Sequence, residues 1–400
     1  MTRRPKILVF GFELRWLGPA RLPRALQAAG FEVGIAGRPR ALSALTSFRD
    51  HFFPLPENYS GPKHFAVLQS IINTWHPDLI LPSDDTAALF LSSAHFQAAR
   101  LGDQPLAKIL ARSLGNPTAI QQAGSKRLTM DTARALGLRV PASQTISSRA
   151  DLTKFIARYG FPLVLKNSFG CSGKSVFICP DASSADAAWQ RLRQHQRWGR
   201  EFQARLRQLR ERQFSRRWLP VDLTCTASQY IPGRCASSLA AVGGGAVLGL
   251  LTSMNEETFP DEQSPASVVR FIRHEEMRAT TAQLVKHWGL TGLIGFDFQI
   301  DHAGNAWLLE CNPRPTPIAH LGKLVGEDLC LALRNWVAAA PLPRGEHKNN
   351  FLVAHFPQEL WRDPQSAHLQ SAFHDVPLDD LKLLAEIQQT GPPRRPALAR

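Results

Sequence analysis

The sequence lacks the marks of several protein classes. None of its six cysteines stands in a C-x-x-C pair, which argues against a disulfide scaffold and against a structural zinc site. Long apolar runs are also missing, because none approaches the roughly 18 residues of a membrane helix. Residues 1–6 lead into a short strand pattern instead of a signal-peptide core. We therefore expect a soluble, cytoplasmic protein with reduced and mostly buried thiols.

Acidic residues are scarce, and the excess of basic residues is local. The chain of 400 residues has 47 Lys and Arg against 33 Asp and Glu, a net charge of +14. Residues 191–217 contain ten arginines and two glutamates, and so supply +8 of that charge. Apolar residues recur there mostly three or four apart, which predicts a basic amphipathic helix inserted at residues 189–218.

This Arg-rich segment (residues 189–218) has two interpretations. Charge runs usually form a solvated face, so the segment would be a helical insertion with exposed arginines. The alternative is a docking surface for a large anionic or carrier-bound substrate, for RNA or for a membrane.

The first 116 residues predict an open parallel sheet covered by helices, because short apolar runs alternate with helical patterns. The runs lie at residues 6–11, 31–36 and 78–82, and the helical patterns at residues 19–29 and 64–75. The turn after the first run lacks the G-x-G-x-x-G spacing of a dinucleotide site. We therefore expect no nicotinamide or flavin cofactor.

The chain beyond residue 116 predicts helices mixed with short strands. A strand at residues 161–166 opens into a glycine-bearing loop, and residues 176–179 return as a second strand. Residues 295–301 and 306–311 alternate across a turn, which is typical of a hairpin. The proline-rich residues after 341 are predicted to be a partly irregular, frayed C-terminal extension.

The hairpin carries the acidic residues with the clearest chemical meaning. Strand alternation places Asp297, Gln299 and Asp301 on one face of its first strand, and Glu310 and Asn312 on one face of its second. Asp297 and Glu310 can therefore face each other. Because half-buried neighbouring carboxylates repel, they need a compensating cation, and such oxygen ligands suit Mg²⁺. The alternative is a solvated hairpin with ordinary acidic residues.

Three basic residues could act on phosphate groups. Arg314 follows the hairpin, where a fixed planar cation could stabilise a phosphoryl or acyl oxygen. Lys166 ends a strand before Gly170 and Gly173, whose loop presents backbone N–H groups and one ammonium to phosphate oxygens. Lys126 follows a Gly-Ser pair, and by itself it could equally be a surface lysine of a helix.

Five other side chains have a structural and a functional interpretation. Asp84 and Asp85 at a strand end could recognise an amine or cap a turn. His320 could contact a substrate or support the fold. Cys171 is interpreted as a small loop residue and Cys311 as part of the core, because strand alternation turns it away from its acidic neighbours.

Taken in order, these motifs resemble those of the ATP-grasp superfamily of carboxylate–amine or carboxylate–thiol ligases. The resemblance covers about residues 6–330. It rests on Gly115-Asn-Pro, Gly124-Ser-Lys126, Val140-Pro141, Lys166-x-x-x-Gly-x-x-Gly173, Gln229-Tyr-Ile-Pro-Gly233, and Asp297 followed thirteen residues later by Glu310-Cys-Asn-Pro-Arg314. The order of all these motifs, more than any one of them, makes coincidence improbable.

The resemblance implies an α/β ATP-grasp fold in three parts. An N-terminal, Rossmann-like pre-ATP-grasp domain would span residues 1–116, and a small lid subdomain with the Arg-rich insertion would span residues 117–235. A C-terminal α+β subdomain with the metal and ATP site would span residues 236–340. Residues 341–400 lie outside the resemblance.

The resemblance also implies site roles. ATP would be bound by Lys126, Lys166, Gly170, Ser172, Gly173, Gln229, Tyr230 and Ile231. Two Mg²⁺ or Mn²⁺ ions would be held by Asp297, Glu310 and Asn312. Arg314 and Lys166 would be the catalytic residues, with Arg314 steadying an acyl phosphate.

The expected function is that of an ATP-dependent, ADP-forming ligase. It would join a small carboxylate to an amine through an acyl phosphate, and a homodimer is an assembly common among such enzymes. The alternative is a non-catalytic ATP-grasp protein that binds nucleotide or polyanion and docks through its Arg-rich helix. A biotin-dependent carboxylase subunit is disfavoured, because its chemistry normally comes with further domains.

Overall fold

Three β-sheets organise the chain. The computed structural model describes residues 3–168, 176–206, 218–262, 264–343, 345 and 347–392. The first sheet is N-terminal and parallel, the second is small and antiparallel, and the third is a large sheet to which strands from the C-terminal half contribute.

The N-terminal sheet has the strand order β3-β2-β1-β4. Its strands are β1 (Lys6–Phe10), β2 (Glu32–Gly37), β3 (His51–Pro54) and β4 (Leu79–Pro82). All are parallel, and the central strands are buried on both faces, which explains their nearly continuous apolar sequence. The covering helices are α1 (Leu17–Ala28), α2 (Leu42–Leu45), α3 (Gly61–Trp75), α4 (Asp85–Leu101) and α5 (Gln104–Leu114). The predicted parallel layer is thereby confirmed.

The small antiparallel sheet has the order β5-β8-β6-β7. Its strands are β5 (Ser143–Thr145), β6 (Leu163–Asn167), β7 (Val176–Cys179) and β8 (Cys225–Gln229). Two short helices precede it, α6 (Pro117–Ala123) and α7 (Lys126–Ala135), and two cover it, α8 (Arg149–Tyr159) and α9 (Ala182–Leu206). Leu163, Leu165, Phe155 and Trp189 belong to its separate hydrophobic core.

The large sheet has seven strands in the order β13-β12-β9-β10-β11-β14-β15. They are β9 (Arg234–Gly243), β10 (Ala246–Thr258), β11 (Ala266–Ile272), β12 (Gly292–Ile300), β13 (Ala306–Asn312), β14 (Phe351–His355) and β15 (Phe373–Asp375). Its helices are α10 (Glu275–Trp288) and α11 (Leu329–Val337), with a 3₁₀ turn at Gly322–Val325. The predicted hairpin is β12 and β13, which places both strands at one edge of this sheet.

The prediction of a frayed C-terminal extension is wrong for residues 351–389. Strands β14 and β15 extend the large sheet, and helices α12 (Gln358–Arg362), α13 (His368–Ser371) and α14 (Leu381–Gln389) follow or separate them. The prolines that suggested irregular structure lie between these elements. Because each element is short, its periodicity is too weak to read from sequence, and long-range pairing decides the structure.

The Arg-rich segment is only partly covered by the structure. Helix α9 begins at Ala182, before the predicted start, and continues to Leu206, which confirms a helix over that part. Residues 207–217 lie outside the described residues. Trp189 and Leu192 bury in the core of the small sheet, so the start of the segment is a covering helix. Within the described ranges, no helix combines the length and apolarity needed to span a bilayer.

After this segment the chain returns to the N-terminal layer through Trp218. The indole is 4% exposed and packs on Phe65 and Phe90, with ring centroids 5.2 and 5.7 Å away. A side chain at Gly61 would collide with the indole, since an added Cβ would lie 2.2 Å from its Cδ1. The chain that returns from the insertion is thus anchored to the N-terminal layer.

Two glycines with positive φ provide a test of how tightly these layers meet, although only Gly102 is left-handed helical, with ψ 13°, and Gly115 has ψ −105°. Gly115 has φ +76°, and an added Cβ would lie 2.0 Å from the Gly289 carbonyl oxygen. Gly102 has φ +74° with no atom within 4 Å of that position. We expect Gly102→Ala to cost about 1 kcal/mol from the backbone alone. Gly115→Ala should cost about 3 kcal/mol or more, because the clash adds to it. Urea unfolding of both variants measures the difference, and equal losses would contradict a close contact at Gly115.

Candidate active site

Two carboxylates face each other on the edge hairpin. In the β12–β13 register Asp297 is opposite Glu310 and Gly295 is opposite Asn312, as strand alternation predicts. A bulge follows Asp297, and the Asn312 amide donates to Asp297 Oδ2 at 3.0 Å. Burial and the Glu310 carboxylate together raise the pKa of Asp297 well above its ordinary value. The pair therefore holds negative charge that the hairpin itself does not neutralise.

The two predicted lysines reach the same end of the hairpin from the other side. Lys126, at the start of α7, places Nζ 2.8 Å from Glu310 Oε2. Lys166, on β6, donates from Nζ to the Leu309 carbonyl at 3.3 Å. Burial alone would raise the pKa of Glu310, but the Lys126 ammonium lowers it below the ordinary value. Burial and the charge of Lys126 lower the pKa of Lys166 to about 8.

Main-chain contacts fix where the two lysines lie. Ser125 caps α7 by accepting from the Leu128 amide, and the Lys126 amide donates to the Ser168 carbonyl at 2.9 Å. The Ser125 hydroxyl also donates to Asp222 at 2.7 Å, in the segment that returns from the insertion. The start of α7 is therefore held against the strand that carries Lys166.

Arg314 is nearly buried where the chain leaves β13. Its Nη2 donates to Asn312 Oδ1 at 2.9 Å, its Nη1 to the Pro315 carbonyl at 3.3 Å and its Nε to Asp85 Oδ1 at 3.0 Å. Asp85 starts α4 in the N-terminal layer, 229 residues away in sequence. No sequence pattern predicts this ion pair, because only the tertiary contact brings the two residues together.

The neighbouring residues have structural roles. Asp84 caps α4 and accepts from the amides of Phe12, Glu13 and Ala87, which favours the cap over recognition of an amine. His320 pairs with the buried Asp375 at 2.7 Å, so the structural interpretation holds.

The predicted cysteine roles can be followed for one of the two residues. Cys311 is 6% exposed and packs in the main core, as expected. Cys171 lies outside the described residues.

The predicted adenine segment follows on the same small sheet. β8 pairs with β6 so that Thr226 is opposite Lys166 and Gln229 is opposite Leu163, three residues along. Tyr230 is half-buried and Ile231 is buried just beyond the strand. The glycine loop that joins β6 to β7, with Gly170, Ser172 and Gly173, lies outside the described residues.

The donors at the hairpin fit a hard divalent cation. Asp297 and Glu310 offer the oxygens of two facing carboxylates, and Asn312 offers an amide oxygen. The pKa of the Asp297 carboxyl is raised. Mg²⁺ prefers carboxylate and carbonyl oxygens and few protein ligands. Among the described residues no group of three or more His, Cys, Asp and Glu is arranged to hold a metal, and the hairpin set has two carboxylates beside its amide.

Comparison with known proteins gives the context of this arrangement. Residues 123–196 match the sequence family described as the RimK-like ATP-grasp domain. The carbamoyl phosphate synthase large chain of Rubrobacter xylanophilus is 25% identical over 130 residues, 32% of this chain and 12% of that one. The large chain from Gemmatimonas aurantiaca is 24% identical over 228 residues, 56% of this chain and 19% of the relative. The matches thus span less than a fifth of either relative.

Solved structures match over most of the chain. The N5-carboxyaminoimidazole synthetase of Staphylococcus aureus with ADP has a TM-score of 0.59 at 14% identity, covering 88% of this chain and 82% of that one. The biotin carboxylase domain of Hydrogenobacter thermophilus 2-oxoglutarate carboxylase has a TM-score of 0.59 at 15% identity, covering 87% and 73%. An L-amino acid ligase of Bacillus licheniformis has a TM-score of 0.54 at 17% identity, covering 84% and 75%. The chain therefore has the ATP-grasp fold of these structures, and residues 123–196 match a RimK-like ATP-grasp domain.

Proposed function

We propose that the protein is an ATP-dependent, ADP-forming ligase that joins a carboxylate to an amine through an acyl phosphate. The observation that carries the proposal is the convergence of two lysines, two carboxylates, one amide and one arginine at a single hairpin end. Phosphoryl transfer needs positioning and charge neutralisation more than a protein nucleophile, and this set supplies both.

Each group has a distinct task in the proposed reaction. Lys126 and Lys166 bind phosphate oxygens of ATP from the side of the small sheet. Asp297, Glu310 and Asn312 hold Mg²⁺ or Mn²⁺, which when bound neutralises charge on the phosphates. Arg314 stabilises the oxygens of the acyl phosphate. Because these groups are largely buried, each interaction is stronger than it would be in water.

The reaction proceeds in two displacements. A substrate carboxylate oxygen attacks the γ-phosphorus, the bond to the β-phosphate oxygen breaks, and ADP leaves. The amine then attacks the acyl carbon, phosphate leaves with the bonding electrons, and the nitrogen loses a proton. Water would hydrolyse the acyl phosphate, so the residues around the reactive centre must exclude solvent.

Five further assignments belong to this proposal. Gln229, Tyr230 and Ile231 line the adenine, and Gly170, Ser172 and Gly173 close over the phosphates. The three sheets would correspond to the pre-ATP-grasp, lid and C parts, with the large sheet beginning at Arg234 and extending past the predicted end at residue 340 through β14 and β15. The Hydrogenobacter structure is a dimer of its domain, and we propose a homodimer here as well. The protein would act in the cytoplasm.

The experiment is ADP release by the purified chain with Mg²⁺ and ATP, screened against pools of amino acids and small carboxylic acids. We expect one pool to stimulate release and Glu310→Ala to abolish it. Binding of Mg-ATP without stimulation by any pool would favour the alternative, a non-catalytic protein that docks through its Arg-rich helix. Absence of nucleotide binding would overturn the ligase.

A further inference from the structure

Arg314 contacts two residues of the N-terminal layer, Trp16 and Asp85. The Trp16 ring lies beneath its guanidinium, with Cζ 4.2 Å from the ring centroid. Asp85 accepts from its Nε at 3.0 Å. Trp16 precedes α1 in the loop after β1, and Asp85 starts α4 in the loop after β4. Because β1 and β4 are neighbouring parallel strands, both loops leave the same edge of the sheet.

These contacts engage three N–H donors of the guanidinium and one face of its plane. Asp85, Asn312 and the Pro315 carbonyl take one N–H each, from Nε, Nη2 and Nη1. Trp16 covers one face of the plane. Of the five donors, these contacts within the described chain leave two, one N–H on each Nη, for a ligand in the plane of the guanidinium. A planar fork binds phosphoryl oxygens only in the orientation in which it is held.

We propose that Trp16 and Asp85 are positioning residues that orient Arg314 toward the reacting phosphoryl or acyl group. The reactive centre is then complete only when the N-terminal layer is seated against the hairpin of the large sheet. This inference rests on the proposed function and adds two residues to its machinery.

The surroundings of Trp16 and Asp85 argue against a purely structural role. The Trp16 side chain is partly exposed and stands outside the hydrophobic clusters, while the guanidinium it covers is nearly buried. Cation–π contacts are strongest when the cation is desolvated. Asp85 also favours the start of α4 through the helix dipole, a small effect that does not depend on Arg314.

The test is a double-mutant cycle in the ADP-release assay with the stimulating pool. We expect Trp16→Leu to lower kcat about 10–100-fold with the KM for ATP changed less than about 3-fold, because misplacement of a reacting group of this kind costs up to about 100-fold. Trp16→Phe should keep most of the activity, since it restores an aromatic face. Asp85→Asn should lower kcat in the same way as Trp16→Leu.

The decisive arm is the same Trp16→Leu change in an Arg314→Lys background. Lysine has no planar fork to orient, so the second change should then lower kcat less than about 3-fold. If Trp16→Leu lowers kcat as much in the Arg314→Lys background as in the wild type, Trp16 acts independently of Arg314 and the inference is overturned. Unchanged kcat in wild-type background would overturn it as well.

A matched control separates positioning from general damage. Trp336 is also half-buried beneath an arginine, with Arg112 Cζ 5.7 Å from its ring, and it packs on the core beside Gly243 instead of on Arg314. Trp336→Leu should leave kcat unchanged; if it lowers kcat like Trp16→Leu, the loss is general and the inference fails. A wild-type chain that releases no ADP with any pool overturns the proposed function and with it the positioning role. If the wild type is active and Trp16→Leu leaves kcat unchanged, only the positioning role is overturned.

Discussion

Asp297→Asn should lower Mg²⁺-dependent ADP release by about 1,000-fold or more, which corresponds to about 4 kcal/mol of transition-state stabilisation. The change keeps the size of the side chain and removes one of the two facing charges. The amide can still contact Asn312, so the hairpin register should survive. The loss would therefore reflect the missing metal ligand and not a rearranged hairpin.

The same substitution should stabilise the metal-free protein. Burial and the Glu310 carboxylate raise the pKa of Asp297 in the folded state above the ordinary value of 3.8. The folded protein therefore binds more protons than the unfolded chain, and its stability falls as the pH rises from about 4. Asparagine has no such dependence. With a chelator present, the variant should unfold at a higher temperature than wild type at about pH 8 and at nearly the same temperature at about pH 4.

Added Mg²⁺ provides the third readout. It should raise the unfolding temperature of wild type and have little effect on the variant, because binding to the folded state alone is stabilising. Glu275→Gln is the matched control, since Glu275 is an exposed acid on α10 paired only with the surface residue Arg273 among its described ion pairs. Its activity and Mg²⁺ response should equal those of wild type. If Asp297→Asn keeps both, the hairpin is not the metal site.

The sequence predicted this site as far as local periodicity allows. Alternation along two strands is enough to place Asp297 opposite Glu310, because each strand turns successive side chains to opposite faces. The order of motifs predicted that Lys126 and Lys166 lie nearby, and the structure brings both to the hairpin. The facing carboxylates needed only the strand period and the turn, whereas the place of the two lysines was implied by the resemblance.

The partners of Arg314 could not be predicted, because they depend on how the sheets pack. Trp16 and Asp85 follow different strands of the N-terminal sheet and meet Arg314 only when that sheet contacts the hairpin. The C-terminal extension was mispredicted for the same reason. Its strand β15 has three residues and is stabilised by pairing and by buried charges from elsewhere in the chain.

The buried ion pairs of Asp375 predict a second large effect, a loss of folding stability when this carboxylate is removed. Asp375, at the end of β15, is 5% exposed and accepts from Arg21 Nη2 at 2.8 Å, while His320 Nε2 lies 2.7 Å away. Asp375→Ala should lower the free energy of unfolding by about 3–5 kcal/mol, because it leaves the Arg21 guanidinium buried without its counter-ion. Asp379→Ala is the control: its partner Arg24 is exposed, so the loss should stay below about 1 kcal/mol.

The acid dependence of the same cluster has a definite sign. Burial alone would raise the pKa of Asp375, but His320 and Arg21 lower it to about 2, against an ordinary value of 3.8. The ionised carboxylate therefore stabilises the fold above about pH 4, and about 2 kcal/mol of this is lost as the pH falls to 2. The stability difference between wild type and Asp375→Asn in urea titrations should shrink by this amount over that interval. A constant difference would show that the carboxylate is not held by these cations. Since His320 follows Arg314 by six residues, a loosened cluster would also free the loop behind the reactive arginine, so kcat should fall together with stability.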